Sequence, residues 1–236
     1  VVTTLQGTAT VVRATSKASL PLRFKDDVFV RDRITTGDNS VARILLGGKA
    51  VVTVRERSVL TITEVPGGST VDIAIGKVAL AVVKERMKPG ETIDIRTPNA
   101  VAGIRGTVVI TEVEQATAQA GPVTGGAFTT TFTVPRGVVH VSQIDPQTLR
   151  AVGPGVTLGA LQTTRITGVT GSFRPPQTLT PEAVQRLSTD YKLKVTEAPD
   201  AAATNASLAK TQIQQAVTHV NALPTVAAPR PTLPGG

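Results

Sequence analysis

The chain has 236 residues, 40% of them apolar, with a formal net charge of +8 and no cysteine; this leaves enough apolar material for a core and excludes a disulfide framework and thiolate metal sites. Aromatic residues make up only 3%, so Val, Ile, Leu, Ala and Thr methyls must fill the interior, as they do in layered β structure. No run of about 18 apolar residues occurs, which excludes a helix that spans a bilayer.

The N-terminal sequence Val1-Val2-Thr3-Thr4-Leu5 has no basic and apolar leader before it, as expected of a processed, exported chain. The same residues form a strand suited to joining the edge of another subunit, so Val1, Val2 and Leu5 are expected assembly contacts. Period-two alternation and β-branched runs predict strands over residues 8–12, 41–46, 50–54, 59–65, 70–75, 77–83, 92–96, 107–113, 128–134, 137–142 and 161–167. Reversals are expected at Gly47-Gly48, Pro66-Gly67-Gly68, Pro89-Gly90, Gly121-Pro122, Gly125-Gly126 and Asp145-Pro146.

Within this series, Thr97-Pro98-Asn99-Ala100-Val101-Ala102-Gly103-Ile104-Arg105-Gly106-Thr107 is too specified for a generic loop. Pro98 keeps Thr97 extended, and Gly103 and Gly106 are expected to adopt backbone angles closed to other residues. Arg105 is expected to brace the turn through carbonyls or a carboxylate. The segment reads as a structural corner and not as an active site.

After residue 170 the composition changes. Thr180-Pro181-Glu182 is a helix start, with a Thr cap, Pro in the first turn and an acid beside it, and Val184, Leu187 and Tyr191 share one face. A second helix is expected over residues 201–223, capped by Asp200, with an apolar stripe of Ile213, Ala216, Val217, Val220 and Leu223. Pro224, Pro229, Pro231 and Pro234 then favour an extended tail, in which Pro229, Pro231 and Leu233 are further expected assembly contacts. The expected organisation is a β domain over 1–170, a helical appendage over 171–223 and a Pro-rich tail over 224–236.

Reactive groups are sparse. Val139-His140-Val141 alternates, which places His140 on the solvent side, and His219 sits on the second expected helix away from any acid pattern. These two histidines give no zinc spacing and no triad, and no nucleophile elbow or phosphate-cradling loop is present. The pairs Asp26-Asp27 and Glu112/Glu114 read as polar surface. No catalytic residue, cofactor site or metal site is therefore assigned, and the chain is read as non-enzymatic.

Basic clusters at Arg23/Lys25, Arg31/Arg33, Arg55/Arg57 and Lys84/Arg86/Lys88 are interrupted by Asp26, Asp27, Asp32, Glu56 and Glu85. Without a continuous basic stripe and stacking aromatics, nucleic acid is not an expected partner. An acidic protein partner or an anionic polysaccharide suits the charge better.

Taken in order, residues 33–46 including Thr36, Gly37 and Ser40, then Ser58 through Ile62, Gly76-Lys77-Val78, and Thr97-Pro98 through Gly103-Ile104-Arg105-Gly106-Thr107 resemble the FecR-type domain. Residues 135–141 look like that family's closing strand, and Val152-Gly153-Pro154-Gly155 like the Gly-rich turn after it, so the resemblance covers roughly residues 5–167. It implies a β-rich sandwich, roll or short solenoid of about eleven short strands that acts in the cell envelope through protein contacts, best known in relaying an outer-membrane receptor signal to a sigma factor. It carries no catalytic residues.

Two functions follow as expectations. The first is a self-assembling structural subunit of the cell surface or an extracellular filament, forming a homo-oligomer or polymer through its termini and sheet edges. The second is a periplasmic sensor module that docks another envelope protein in sigma-factor regulation. Both place the protein outside the cytoplasm.

Overall fold

Alternation of side chains sets the layers. Along residues 32–36, Asp32, Ile34 and Thr36 are buried while Arg33 is exposed; along 42–46, Ala42, Ile44 and Leu46 are buried. The computed structural model describes residues 1–65, 67–115, 128–168 and 172–191. Strands occupy β1 (Val2–Gln6), β2 (Ala9–Val12), β3 (Ser19–Pro21), β4 (Asp32–Thr36), β5 (Val41–Leu46), β6 (Ala50–Val54), β7 (Val59–Val65) and β8 (Gly68–Val82) in the first half. They continue with β9 (Thr92–Arg96), β10 (Ala100–Ile104), β11 (Val108–Gln115), β12 (Phe128–Arg136), β13 (Val139–Ile144), β14 (Ala151–Leu158), β15 (Gln162–Thr167) and β16 (Gln177–Thr178).

These strands form two sheets that share β8. The first sheet runs β1-β5-β6-β8-β11-β12-β15-β16 and the second β3-β2-β4-β7-β8-β9-β10-β13-β14. Neighbours are antiparallel except β8 and β9, which run parallel. Residues 68–75 of β8 pair with β7 in the second sheet, and from Gly76 onward the strand pairs with β11 in the first. Gly76 therefore marks the change of sheet, and its φ of 104° belongs to glycine. Buried side chains from both sheets form one cluster, with Ile44, Val52, Leu80 and Phe132 from the first sheet and Ile34, Leu60, Ile73 and Ile95 from the second. Each such side chain contributes about 1.5–3 kcal/mol of burial, so methyl-rich layers close the core despite the scarcity of aromatics.

Where the chain passes between sheets, hydroxyl side chains satisfy the backbone. Ser40 Oγ accepts from the Thr8 amide at 2.8 Å and donates to the Asp38 carbonyl at 2.9 Å. Thr36 Oγ1 donates to the Arg55 carbonyl at 2.5 Å and accepts from the Ser58 amide at 3.0 Å, while Ser58 Oγ accepts from the Lys77 amide at 2.9 Å. Thr107 Oγ1 donates to the Val138 carbonyl at 3.2 Å. A Cβ on Gly37 would lie 2.3 Å from Thr8 Oγ1, so this corner admits only glycine without rearrangement.

The mainly β expectation holds, with sixteen strands among the described residues where about eleven were expected. Residues 70–75 and 77–83, expected as two strands, are one strand bent at Gly76. The segment 97–107 is not a single corner: Thr97-Pro98-Asn99 turns the β9–β10 hairpin, β10 occupies its centre, and a sheet change follows at 105–107. Val152-Gly153-Pro154-Gly155, expected as a turn, lies inside β14. It is tolerated there because β14 is an exposed edge, where Pro154 displaces no ladder bond on its free side, and because the register with β13 shifts between Val141 and Gln143.

Helix α1 (Pro181–Asp190) starts as expected, with Thr180 Oγ1 accepting from the Ala183 amide at 3.2 Å. Its Val184 and the following Tyr191 are buried, and Arg43 Nη2 on β5 donates to the Tyr191 carbonyl at 3.1 Å. Leu187 is only partly buried. The second expected helix, His219, the turns at 121–126 and the tail with Pro229, Pro231 and Leu233 lie outside the described residues.

Candidate protein-interaction surface

The residues between β3 and β4 form a loop that is fixed from below and apolar on top. Leu22 is buried at its start. Arg23 N donates to Asp26 Oδ2 at 2.7 Å, and the loop backbone pairs with β1 through Lys25 N to Val2 O and Val2 N to Asp26 O, both 2.9 Å. At the other end Asp32, 1% exposed, accepts from the Phe29 amide at 2.8 Å and holds the Arg13 guanidinium. Arg13 also donates to the Asp27 carbonyl at 3.0 Å, and Arg31 N donates to Ile62 O at 2.7 Å. Lys25 and Arg31 both adopt left-handed backbone angles, with φ of 71° and 65°. Non-glycine residues hold such angles at a cost of order 1–3 kcal/mol, and only where the surroundings impose them.

This fixed loop presents Phe24, Phe29 and Val30 to solvent, at 52%, 59% and 49% exposure. In a chain with five phenylalanines and one tyrosine, two exposed on one short loop is a departure from ordinary burial. Arg13 lies 4.8 Å from the centre of the Phe29 ring and Lys25 Nζ 5.4 Å from that of Phe24. Beside Phe29 and Val30 is a depression of about 190 Å³, bordered by Val1, Asp27, Leu45, Gly47 and Glu64. Arg23, Lys25, Arg31 and Arg33 are exposed along the loop and the start of β4 and form no salt bridge among the described residues. Gly47 and Glu64 also border a wider cleft of about 500 Å³ that includes Lys49, Arg86, Lys88 and Glu91.

That wider cleft is held together by its own charges. Lys49 Nζ reaches Glu91 Oε1 at 2.5 Å and Glu64 Oε1 at 3.3 Å. Desolvation pulls Lys49 down, but the two carboxylates outweigh it and hold its ammonium above the usual value. Lys49 and the Lys88 amide in turn hold Glu91 below the carboxylate range. Asp72 and Asp94, on the outer face of the second sheet, are pushed up by burial, with Arg96 opposing the shift. A raised carboxyl binds its proton more tightly in the fold, so its penalty is present at neutral pH and vanishes as pH falls through the raised value. Asp94→Asn is therefore expected to raise the melting temperature at pH 7 and to leave it unchanged at pH 3; an equal or lower melting temperature at pH 7 would contradict this reading. Glu91→Gln has the opposite sign at pH 7, because stability from a depressed carboxyl is present above the ordinary range and lost on acidification.

The residues singled out in the sequence are distributed as follows. Thr36, Gly37, Ser40, Gly76, Gly106 and Thr107 stand at or beside sheet-changing corners. Gly106 has φ of 73°, whereas Gly103 lies in β10 without a positive φ, and a Cβ there would meet Asp94 Oδ1 at an ordinary 3.6 Å, so its expected special backbone angle is not found. Arg105 does not brace the turn: it is exposed and makes no hydrogen bond among the described residues, because it faces out at the end of β10. The bracing group is Asn99, which the sequence reading passed over. Asn99 is fully buried, and its Nδ2 donates to the carbonyls of Phe128 at 3.0 Å and Gly168 at 3.1 Å, while Oδ1 accepts from Thr130 Oγ1 at 2.6 Å. It thus links the β9–β10 hairpin of the second sheet to β12 and the end of β15 in the first. Thr97 Oγ1 completes the turn by donating to Ala100 O at 3.1 Å.

Of the three expected assembly contacts at the N-terminus, Val2 is buried, Val1 is 46% exposed and Leu5 is partly buried. β1 pairs with β5, Val2 is fully buried in the core, and the Val1 amino group donates to Leu45 O at 3.1 Å. His140 is exposed, as its alternation predicts, with Nδ1 3.2 Å from Thr157 Oγ1. Among the described residues no cluster of three or more His, Cys, Asp or Glu is placed to hold a metal, and no helix is long and apolar enough to cross a membrane. Phe24 and Phe29 were legible only as aromatics inside a basic stretch; nothing local marked them as exposed.

The described residues therefore define a β sandwich that carries a fixed loop with exposed aromatic side chains. Residues 32–127 match the family described as FecR protein, so this stretch is a FecR-type domain, as the motifs implied. No curated protein matches the chain. Two crystal structures of a "putative anti-sigma factor" from Parabacteroides distasonis are similar at 14% and 15% identity, with TM-scores of 0.49 and 0.48. The matches cover 66% and 65% of this chain and 64% and 62% of theirs, so the chain spans somewhat less than two thirds of those proteins.

Proposed function

We infer that this protein is a non-enzymatic, envelope-located module that relays a signal through protein contacts in sigma-factor regulation, docking an acidic protein surface on the loop around Phe24 and Phe29. The FecR-type stretch supports the signalling class. The observation that carries the contact site is the fixed loop with its exposed aromatics and unpaired cations. Preorganised aromatic anchors lose little entropy on binding and dominate interface energies. Charge complementarity with Arg23, Lys25, Arg31 and Arg33 favours an acidic partner and accelerates its encounter.

A filament subunit has less support, since the outer edge of β1 is covered at Val2 by the backbone of Lys25 and Asp26, and the exposed edge β14 carries Pro154 and an irregular register, features that discourage strand addition. The test is complementation in the host that makes the protein. Deleting the gene is expected to change sigma-dependent transcription, and Phe24→Ser with Phe29→Ser is expected to reproduce the deletion while leaving the melting temperature unchanged. Full complementation by that double variant, or no transcriptional effect of the deletion, would sink the proposal.

A further inference from the structure

A second surface has a different chemistry. Beside β15 and β16 lies a cleft of about 240 Å³ bordered by Thr131, Thr163, Arg165, Arg174, Pro175 and Gln177, with no carboxylate in its lining. Arg165 and Arg174 are placed together by the backbone, since Arg174 N donates to Arg165 O at 2.8 Å and Thr164 Oγ1 donates to Arg174 O at 2.6 Å. Arg165 is also oriented by its side chain, with Nε donating to Thr131 Oγ1 at 3.2 Å.

The remaining donors of this cleft are unused. Neither arginine forms a salt bridge among the described residues, and the Arg174 and Gln177 side chains make no hydrogen bond there. The acid nearest in register, Glu112 opposite Thr131, has its carboxylate 3.7 Å from Lys77 Nζ. Thr131 accepts from Arg165 and so keeps its own hydroxyl proton for donation. Thr163 differs, because its hydroxyl donates to Phe132 O at 3.0 Å.

We propose that this cleft binds a carboxylated saccharide, with the Arg165 and Arg174 guanidinium groups receiving the carboxylate and Thr131 and Gln177 meeting ring hydroxyls. Two arginines lining one cleft with no carboxylate among its walls leave positive charge uncompensated, and the guanidinium fork matches a carboxylate. The neutral donors around them suit a hydroxylated ligand in preference to a bare ion. The cleft is formed by β12, β15 and residues 174–177, none of which contributes to the loop around Phe29, so the site stands independently of the docking surface.

The experiment is an NMR titration of the whole protein with trigalacturonic acid, maltotriose and sodium sulfate. Saturable shifts at the amides of Arg165, Arg174 and Gln177 are expected with trigalacturonic acid, and none with maltotriose. Arg165→Gln and Arg174→Gln are each expected to weaken that binding at least tenfold with the melting temperature unchanged, and Arg174→Lys is expected to restore only part of it because the fork is lost. Equal shifts with maltotriose, unaltered affinity in the arginine variants, or sulfate binding as tight as trigalacturonic acid would each overturn the assignment.

Discussion

Asn99→Ala is expected to lower the unfolding free energy by about 2–3 kcal/mol, because three hydrogen bonds of a fully buried amide are lost at about 0.5–1.5 kcal/mol each. The amide bridges the two sheets beside the Thr130–Thr97 hydroxyl bond of 3.2 Å: its donors hold Phe128 O and Gly168 O, and its oxygen accepts from the Thr130 hydroxyl. Removing it takes one donor from Phe128 O, which keeps the Gly168 amide at 2.8 Å, and the side-chain donor from Gly168 O. The near-isosteric Asn99→Asp separates packing from hydrogen bonding. Ionised at pH 7, it cannot donate and faces the same carbonyls with a negative charge, so it is expected to destabilise at least as much as alanine and to recover partly on acidification. Urea denaturation of the three proteins measures this; a loss below about 1 kcal/mol for alanine would mean that Asn99 fills space and latches nothing.

Gly76→Ala is the second large effect. A Cβ at this position would lie 2.2 Å from Ser58 Oγ and 2.5 Å from Ser58 Cα, so the obstacle is backbone as well as a movable side chain. The φ of 104° adds strain for any L residue. Together these are expected to cost about 3 kcal/mol or more, with loss concentrated where β8 leaves one sheet for the other. Ser58→Ala supplies the comparison: it removes the acceptor for Lys77 N without adding bulk, at about 1–2 kcal/mol. If Gly76→Ala proves no worse than Ser58→Ala, β8 tolerates a side chain at its bend and the sheet change has a different origin.

Much of the β framework was legible because burial follows period two. Val41–Leu46, Ala50–Val54 and Thr92–Arg96 carry their own alternation, and their expected bounds agree with the strands observed. Strands with weak alternation were not legible. β10 contains Gly103 and reads as a loop until it is seen paired on both sides by β9 and β13. β14 hides behind Gly153-Pro154-Gly155, which only an edge position accommodates.

The polar determinants were harder to read for the same reason. Asn99 follows a proline and looks like a turn residue; its burial arises from Phe128 and Gly168, which are remote in sequence. Arg105 looked like a brace because it is charged and flanked by Ile104 and Gly106, yet its position at a strand end turns it to solvent. Phe24 and Phe29 carry no local sign of where they point, and it is the buried Asp32 with Arg13 that fixes the backbone at Phe29. Exposure of that kind is a property of the closed fold and has no local signature.

The contact surface is tested most directly by photo-crosslinking in the host cell from a reactive residue placed at position 29, compared with positions 138 and 149, where Val138 and Leu149 are similarly exposed at 63% and 53%. Truncating an aromatic hot spot typically costs about 2 kcal/mol or more, about 30-fold in affinity, so a real interface should be specific to place and charge. A single protein adduct from position 29 is expected, absent from positions 138 and 149, and abolished by Arg31→Glu with Arg33→Glu at unchanged melting temperature. Equal adducts from all three positions, or an adduct from position 29 that survives the charge reversal, would contradict an acidic partner docked on this loop.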